Sequence, residues 1–86
     1  MVIPYEEHIE DDVYYRTFKH DVPDEELKWH WDDEDRIIEP IKKTDWKFQF
    51  DNQLPHKIVG SIYIEKGVWH RLIKGSGDLE LKIIKK

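Results

Sequence analysis

Hydrophobic positions in this chain recur at every second residue. "WKFQF" sets Trp46, Phe48 and Phe50 against Lys47 and Gln49, and "LELKI" sets Leu79, Leu81 and Ile83 against Glu80 and Lys82. Successive side chains of a strand point to opposite faces, so this alternation predicts strands with one buried face. Val13 to Lys19 is rich in aromatic and β-branched residues, and "RIIEPI", "KIVGSIYI" and "VWHRLI" add three short apolar runs. Turn formers such as "DNQLP", "EKG" and "KGSGD" stand between them. About six to eight strands follow from this spacing. The one helical candidate, "PDEEL", has an acidic run behind Pro23 and is about one turn long. With no repeat, low-complexity tract or linker, the expectation is a single all-β domain. A small antiparallel β-barrel or two-sheet sandwich fits, and closure would also hide edges that invite aggregation.

Composition narrows this. The chain has 86 residues, too few for two cores, and eleven of them are Trp, Tyr or Phe, so bulky aromatics must supply much of the buried area. No cysteine is present, which excludes disulfides, thiolate metal sites and cysteine nucleophiles together. No run approaches the length of a membrane span, and "MVIPYEEHIEDD" is acidic where a secretory leader would be basic and then apolar. A soluble, cytoplasmic protein is expected. Residues 1–43 carry fourteen Asp/Glu against six Lys/Arg, and residues 44–86 carry five against eight, for a total of −5. That balance argues against nucleic acid as a partner, because phosphate binding needs a basic surface.

Candidate chemistry lies in "GSIYIEKGVWHRLIKG". Gly60, five residues, Lys66-Gly67, two residues and His70 form a spacing in which Gly67 supplies a hairpin's positive φ and His70 emerges on the returning strand. This resembles the second cupin motif, G(X)5PxG(X)2H, with Lys66 where the shifted proline would stand. The first cupin motif, HxH(X)3–4E(X)6G, is matched more loosely by "HWDDEDRIIEPIKK": His30 takes the first histidine position and Asp32 the second, Arg36 or Asp35 falls at the glutamate, and Lys43 replaces the closing glycine. With "KWHWDDEDR", "DWKFQFDNQLP" and "VWHRLIKGSGDLELKI", residues from Lys28 to Ile84 resemble the small single-domain cupin-like proteins, some of them phage-encoded.

The resemblance implies a jelly-roll-like double-stranded β-helix with one divalent metal inside it. On a strand His30 and Asp32 would share an inward face with Lys28, while Trp29 and Trp31 face outward. With His70 and Asp35 they give a two-His, two-carboxylate set suited to Fe, Mn, Ni or Zn. Arg36 at the glutamate position places a cation beside that metal, an unfavourable arrangement unless it points away. Arg36, Gln49 and Trp69 are the candidate ligand contacts. Turnover, if present, would be that of a metal-dependent cupin-type dioxygenase or isomerase.

Plainer accounts stand beside these. His70 and His30 can be packed structural histidines, "DDED" can be a solvated acidic turn, and it lacks the glycine and glutamate of a calcium loop. Neither Ser61 nor Ser76 lies in a nucleophile elbow, and "KGSGD" is no phosphate loop. His8, His20 and His56 have no ligand spacing and are expected at the surface. Three function classes remain: a metal-binding cupin that takes a small anionic or carbonyl ligand, a metal-free module whose Arg36, His30 and His70 contact a carboxylate, and a structural or assembly protein. Four tryptophans are hard to bury in so short a chain, so a homodimer is expected.

Overall fold

The computed structural model describes residues 4–86, so Met1–Ile3 of the acidic opening lie outside it. The strands are β1 Glu6–Glu10, β2 Val13–Phe18, β3 Arg36–Pro40, β4 Lys47–Phe50, β5 His56–Lys57, β6 Ile62–Ile64, β7 His70–Ile73 and β8 Leu79–Lys85. They form a five-stranded sheet ordered β1-β2-β8-β3-β6 and a three-stranded sheet ordered β5-β4-β7. Every pairing is antiparallel. The alternation-based strands are present, and "PDEEL" contributes a single 3-10 turn at Asp24–Glu26. Among the described residues no helix is long and apolar enough to cross a membrane.

β1 was not foreseen, because "EEHIE" carries no buried face: all five of its residues are exposed. It is held by its ladder to β2 and by a two-residue hairpin. Asp11 and Asp12 both take positive φ, at 49° and 65°, as a type I′ turn requires.

Register sorts the side chains. Phe18 pairs with Leu79, Arg16 with Leu81 and Tyr14 with Ile83, so Tyr14, Arg16 and Phe18 share the inner face with Leu79, Leu81, Ile83 and Lys85. The core joins both sheets. Phe18, Ile38, Ile62, Ile64, Leu79, Leu81 and Ile83 come from the larger one, and Phe48 from the smaller. Trp46, at the foot of β4, is completely buried. Its indole N–H donates to the Gly77 carbonyl at 2.6 Å, which satisfies the one polar atom that burial would otherwise orphan.

Beside it Asp45 accepts from the Ser76 amide at 2.9 Å and the Ser76 hydroxyl at 2.7 Å, pinning the turn before β8. Gly75 fits there because a Cβ would stand 2.7 Å from the Trp46 backbone nitrogen. The other three tryptophans point outward, with Trp31 51% and Trp69 46% exposed.

Candidate metal centre

His30 and Asp32 lie in an extended stretch that forms no continuous strand. Their position comes instead from a short clip to the turn before β7 and to its first residue. The His30 amide donates to the His70 carbonyl at 3.0 Å, the His70 amide returns the bond at 2.8 Å, and the Gly67 amide donates to the Asp32 carbonyl at 2.8 Å. Gly67 has φ +82°, so the glycine of the sequence motif allows the turn that makes this clip. Alternation does the rest: Lys28, His30 and Asp32 line a cavity between the sheets, and Trp29 and Trp31 face outward.

Three potential ligand atoms, one each from His30, Asp32 and His70, lie within 4.8 Å of one another. Each imidazole is oriented by its Nδ1. His30 Nδ1 lies 3.0 Å from the Lys28 carbonyl and His70 Nδ1 lies 2.8 Å from the Val68 carbonyl. A carbonyl can only accept, so each Nδ1 carries a proton, and in the neutral imidazole each Nε2 then presents a lone pair. The His70 ring is held further by Phe48, stacked at 5.4 Å, and by the edge of His30 at 4.3 Å.

Asp32 is the pivot. Its Oδ1 meets Arg36 Nη1 at 3.3 Å. Its buried Oδ2 has no hydrogen-bond partner and stands 3.3 Å from His70 Nε2. With Nδ1 bonded to Val68, a neutral His70 ring has only a lone pair to set against Oδ2, whereas a proton or a metal ion at Nε2 draws the two atoms together. Burial pushes the Asp32 carboxyl up, but contact with His70 and the Arg36 charge outweigh it, and its pKa lies below the usual carboxylate value. His30 is open at its rim yet packed on its inner side. That burial outweighs its bond to Lys28, lowers its pKa and favours the neutral, ligating form. Two imidazoles and one ionised carboxylate are the donor set of a two-His-one-carboxylate metal site, and the residues fit a divalent ion.

The structure brings together three of the four metal candidates and leaves out the fourth. Asp35 accepts from the Tyr63 hydroxyl and the Lys66 amide, both at 2.8 Å. These bonds hold its pKa down and occupy its carboxylate elsewhere. Arg36 lines the cavity, but its charge is shared between Asp32 and Glu34, whose Oε2 takes Nε at 3.0 Å. It is therefore an orienting partner for Asp32. Gln49 and Trp69 fall on the outward phase of the alternation. Gln49 accepts from Arg71 Nε at 2.9 Å, and neither residue lines the cavity. His8 and His20 are exposed as expected, whereas His56 is half-buried, with Phe48 at 5.7 Å.

No family model and no curated protein matches the sequence. Solved structures do match. A cupin domain from Bordetella pertussis Tohama I superposes with a TM-score of 0.62 at 18% identity, covering 100% of this chain and 98% of that one. The chain has the cupin fold. Protein NMB1881 from Neisseria meningitidis gives 0.60 at 16% identity over 94% of this chain and 80% of its own. HppE, crystallised in its Fe(II) form, gives 0.66 at 16% over 95% of this chain, which spans 48% of HppE. At such identities the likeness concerns the fold alone.

The cavity measures about 430 Å³ and runs well beyond His30, Asp32 and His70. Glu7, Arg16 and Lys85 also line it, and sequence reasoning singled out none of them. For the two cations the signal was present in the alternation. Arg16 sits between Tyr14 and Phe18, and Lys85 extends Leu79, Leu81 and Ile83, so both fall on inward positions that a sealed core would give to apolar residues.

Proposed function

We propose that this protein is a metal-binding cupin in which His30, Asp32 and His70 hold one divalent ion of the Fe, Mn, Ni or Zn group beside a cavity that receives a small anionic or carbonyl ligand. The observation that carries this reading is the buried Asp32 carboxylate, whose Oδ2 has no hydrogen-bond donor and stands 3.3 Å from His70 Nε2, grouped with the two imidazoles so that one ligand atom from each lies within 4.8 Å of the others. Such an ion would supply Lewis acidity and open coordination positions for a ligand oxygen. The chain's own residues prepare the place. Lys28 and Val68 fix the tautomers, Arg36 keeps Oδ1 and so aims Oδ2, and Phe48, Leu72 and Ile83 restrict water.

The test is elemental analysis and calorimetric titration of protein purified without a histidine tag. One divalent ion per chain is expected in the wild type and none in His30→Ala or His70→Ala, with the far-ultraviolet circular dichroism of all three unchanged. A wild type that takes up no metal, or variants that keep it, would refute the reading.

The exposed Trp31 and Trp69 support a second proposal, pairing of two copies through the outer face behind the histidines. Sedimentation of a dimer that Trp31→Ser with Trp69→Ser converts to a monomer is the expected result. A wild type that sediments as a monomer at tens of micromolar would end it.

A further inference from the structure

Arg16 is an arginine on the inner face of a central strand, with its side chain only 11% exposed. Burying a guanidinium beside Phe18 and Leu81 is costly unless it is paired, and among the described residues Glu7 is the one carboxylate it meets. That pairing is one-sided. Nε and Nη2 both reach the same oxygen, Glu7 Oε2, at 2.6 Å, so the end of the fork that carries Nη1 is not used by it. Tyr5 covers one face of the guanidinium, with Cζ 3.9 Å from the ring centroid. A further partner must approach in the guanidinium plane, the geometry of a carboxylate.

The wall around Arg16 has the matching charge. Arg16, Lys28, Arg36 and Lys85 line the cavity against only Glu7 and Asp32, an excess of positive charge inside a chain whose net charge is −5. Of these four cations Arg36 is held by two carboxylates, and Lys85 Nζ lies 4.1 Å from the Tyr14 ring centroid. Between the charges the lining is apolar, with Phe18, Leu27, Phe48 and Leu72. A cavity with a cationic wall and an apolar body suits an organic anion over both a neutral hydrocarbon and a bare inorganic ion.

We infer that Arg16 is the anchor of a carboxylate subsite in this cavity, taking an organic carboxylate with an apolar body, and that Glu7 is the internal carboxylate that competes for it. The inference rests on the reading of the cavity as a small-molecule site, and it does not require the metal. Glu7 belongs to the edge strand β1, so the competing group is carried on the most exposed strand and can yield to a ligand.

The probe is benzoate, with benzamide as its neutral isostere, titrated calorimetrically into chelator-treated protein so that no metal contributes. Saturable benzoate binding is expected, with benzamide at least about 10-fold weaker, as loss of a charge-assisted pair implies. Arg16→Met should bring benzoate down to the benzamide level. Arg16→Lys, which keeps the charge but loses the planar fork, should fall between and covers the case in which the Met variant does not fold. Glu7→Gln should tighten benzoate by removing the competitor, an effect that a merely structural Arg16–Glu7 pair would not produce.

Equal affinity for the two probes, no saturation up to about 10 mM, or benzoate binding unchanged in both Arg16 variants would overturn the inference. Metal content of the same samples separates the two readings. Arg16-dependent benzoate binding without metal uptake would refute only the metal site. Metal uptake without Arg16-dependent benzoate binding would refute only the subsite.

Discussion

Strand β8 begins at Leu79, buried in the core with Trp46, and ends at Lys85, whose ammonium lies over the Tyr14 ring beside the cavity. The same inward phase thus serves two ends of different construction. At the Trp46 end the indole N–H has its acceptor, Asp45 holds the next turn, and Phe18 lies against Trp46 at 6.0 Å between ring centroids. At the cavity end a carboxylate oxygen is buried without a donor and charged side chains replace apolar ones. The difference teaches that this small domain concentrates its packing at one end and so tolerates unsatisfied groups at the other. Stability and ligand chemistry should then respond to separate substitutions.

The largest expected effect is at the packed end. Trp46→Ala removes a fully buried indole and orphans the Gly77 carbonyl, and should cost about 3–5 kcal/mol by urea denaturation. A loss below about 1 kcal/mol would mean that this end is not where the sheets are held. Asp32→Asn should do the opposite: metal uptake disappears, while the metal-free protein stays within about 1 kcal/mol of wild type, because a side-chain amide can donate to His70 Nε2. Unchanged metal content in that variant would remove Asp32 from the site.

How much of this division was legible in the sequence depends on whether a residue's role follows from its own strand. Trp46, Phe48, Leu79, Leu81 and Ile83 announce an inner face by alternation alone, and they are the core. His30, Asp32 and His70 were reachable through their resemblance to the cupin motifs, with which the glycine turn at Gly67 before His70 and the alternation of His30 and Asp32 agree. Asp35 looked equivalent to Asp32 in "DDED". What separates them is a long-range choice of partner, Tyr63 and Lys66 against His70 and Arg36, which no local pattern encodes. β1 is invisible to periodicity since a strand exposed throughout has no hydrophobic phase. Gln49 and Trp69 were drawn towards the ligand by their chemistry, and the alternation along β4 and into the start of β7 turns them outward.

Two smaller effects sharpen the comparison. Arg36→Met should weaken metal affinity about 10–100-fold, since releasing Oδ1 lets the Asp32 carboxylate rotate. Tightening instead would show that the arginine's repulsion of the ion outweighs its orienting role.

Below about pH 4, acid should act where carboxylates clamp the turn before β8. The Ser76 hydroxyl and amide hold Asp45 below its ordinary 3.8, and the His20 ring and amide do the same for Asp78. A folded pKa below the unfolded one contributes stability that is complete above 3.8 and is lost as pH falls through the folded values. The contribution of this pair to thermal stability should therefore be constant from pH 7 down to about 4 and decline below it. In Asp45→Asn that decline should be shallower from a slightly lower starting point, and an identical slope would exclude Asp45 from the acid response.

The reciprocal backbone bonds between His30 and His70 have a kinetic meaning. Two segments forty residues apart are laced together before any ion arrives, so binding need not recruit a wandering loop. Little chain entropy remains to be lost at the moment of capture, and uptake should approach the speed of ion dehydration, with no slow folding phase behind it. The two amides that exchange these bonds should already be protected from hydrogen exchange in chelator-treated protein, and adding metal should deepen that protection without creating it.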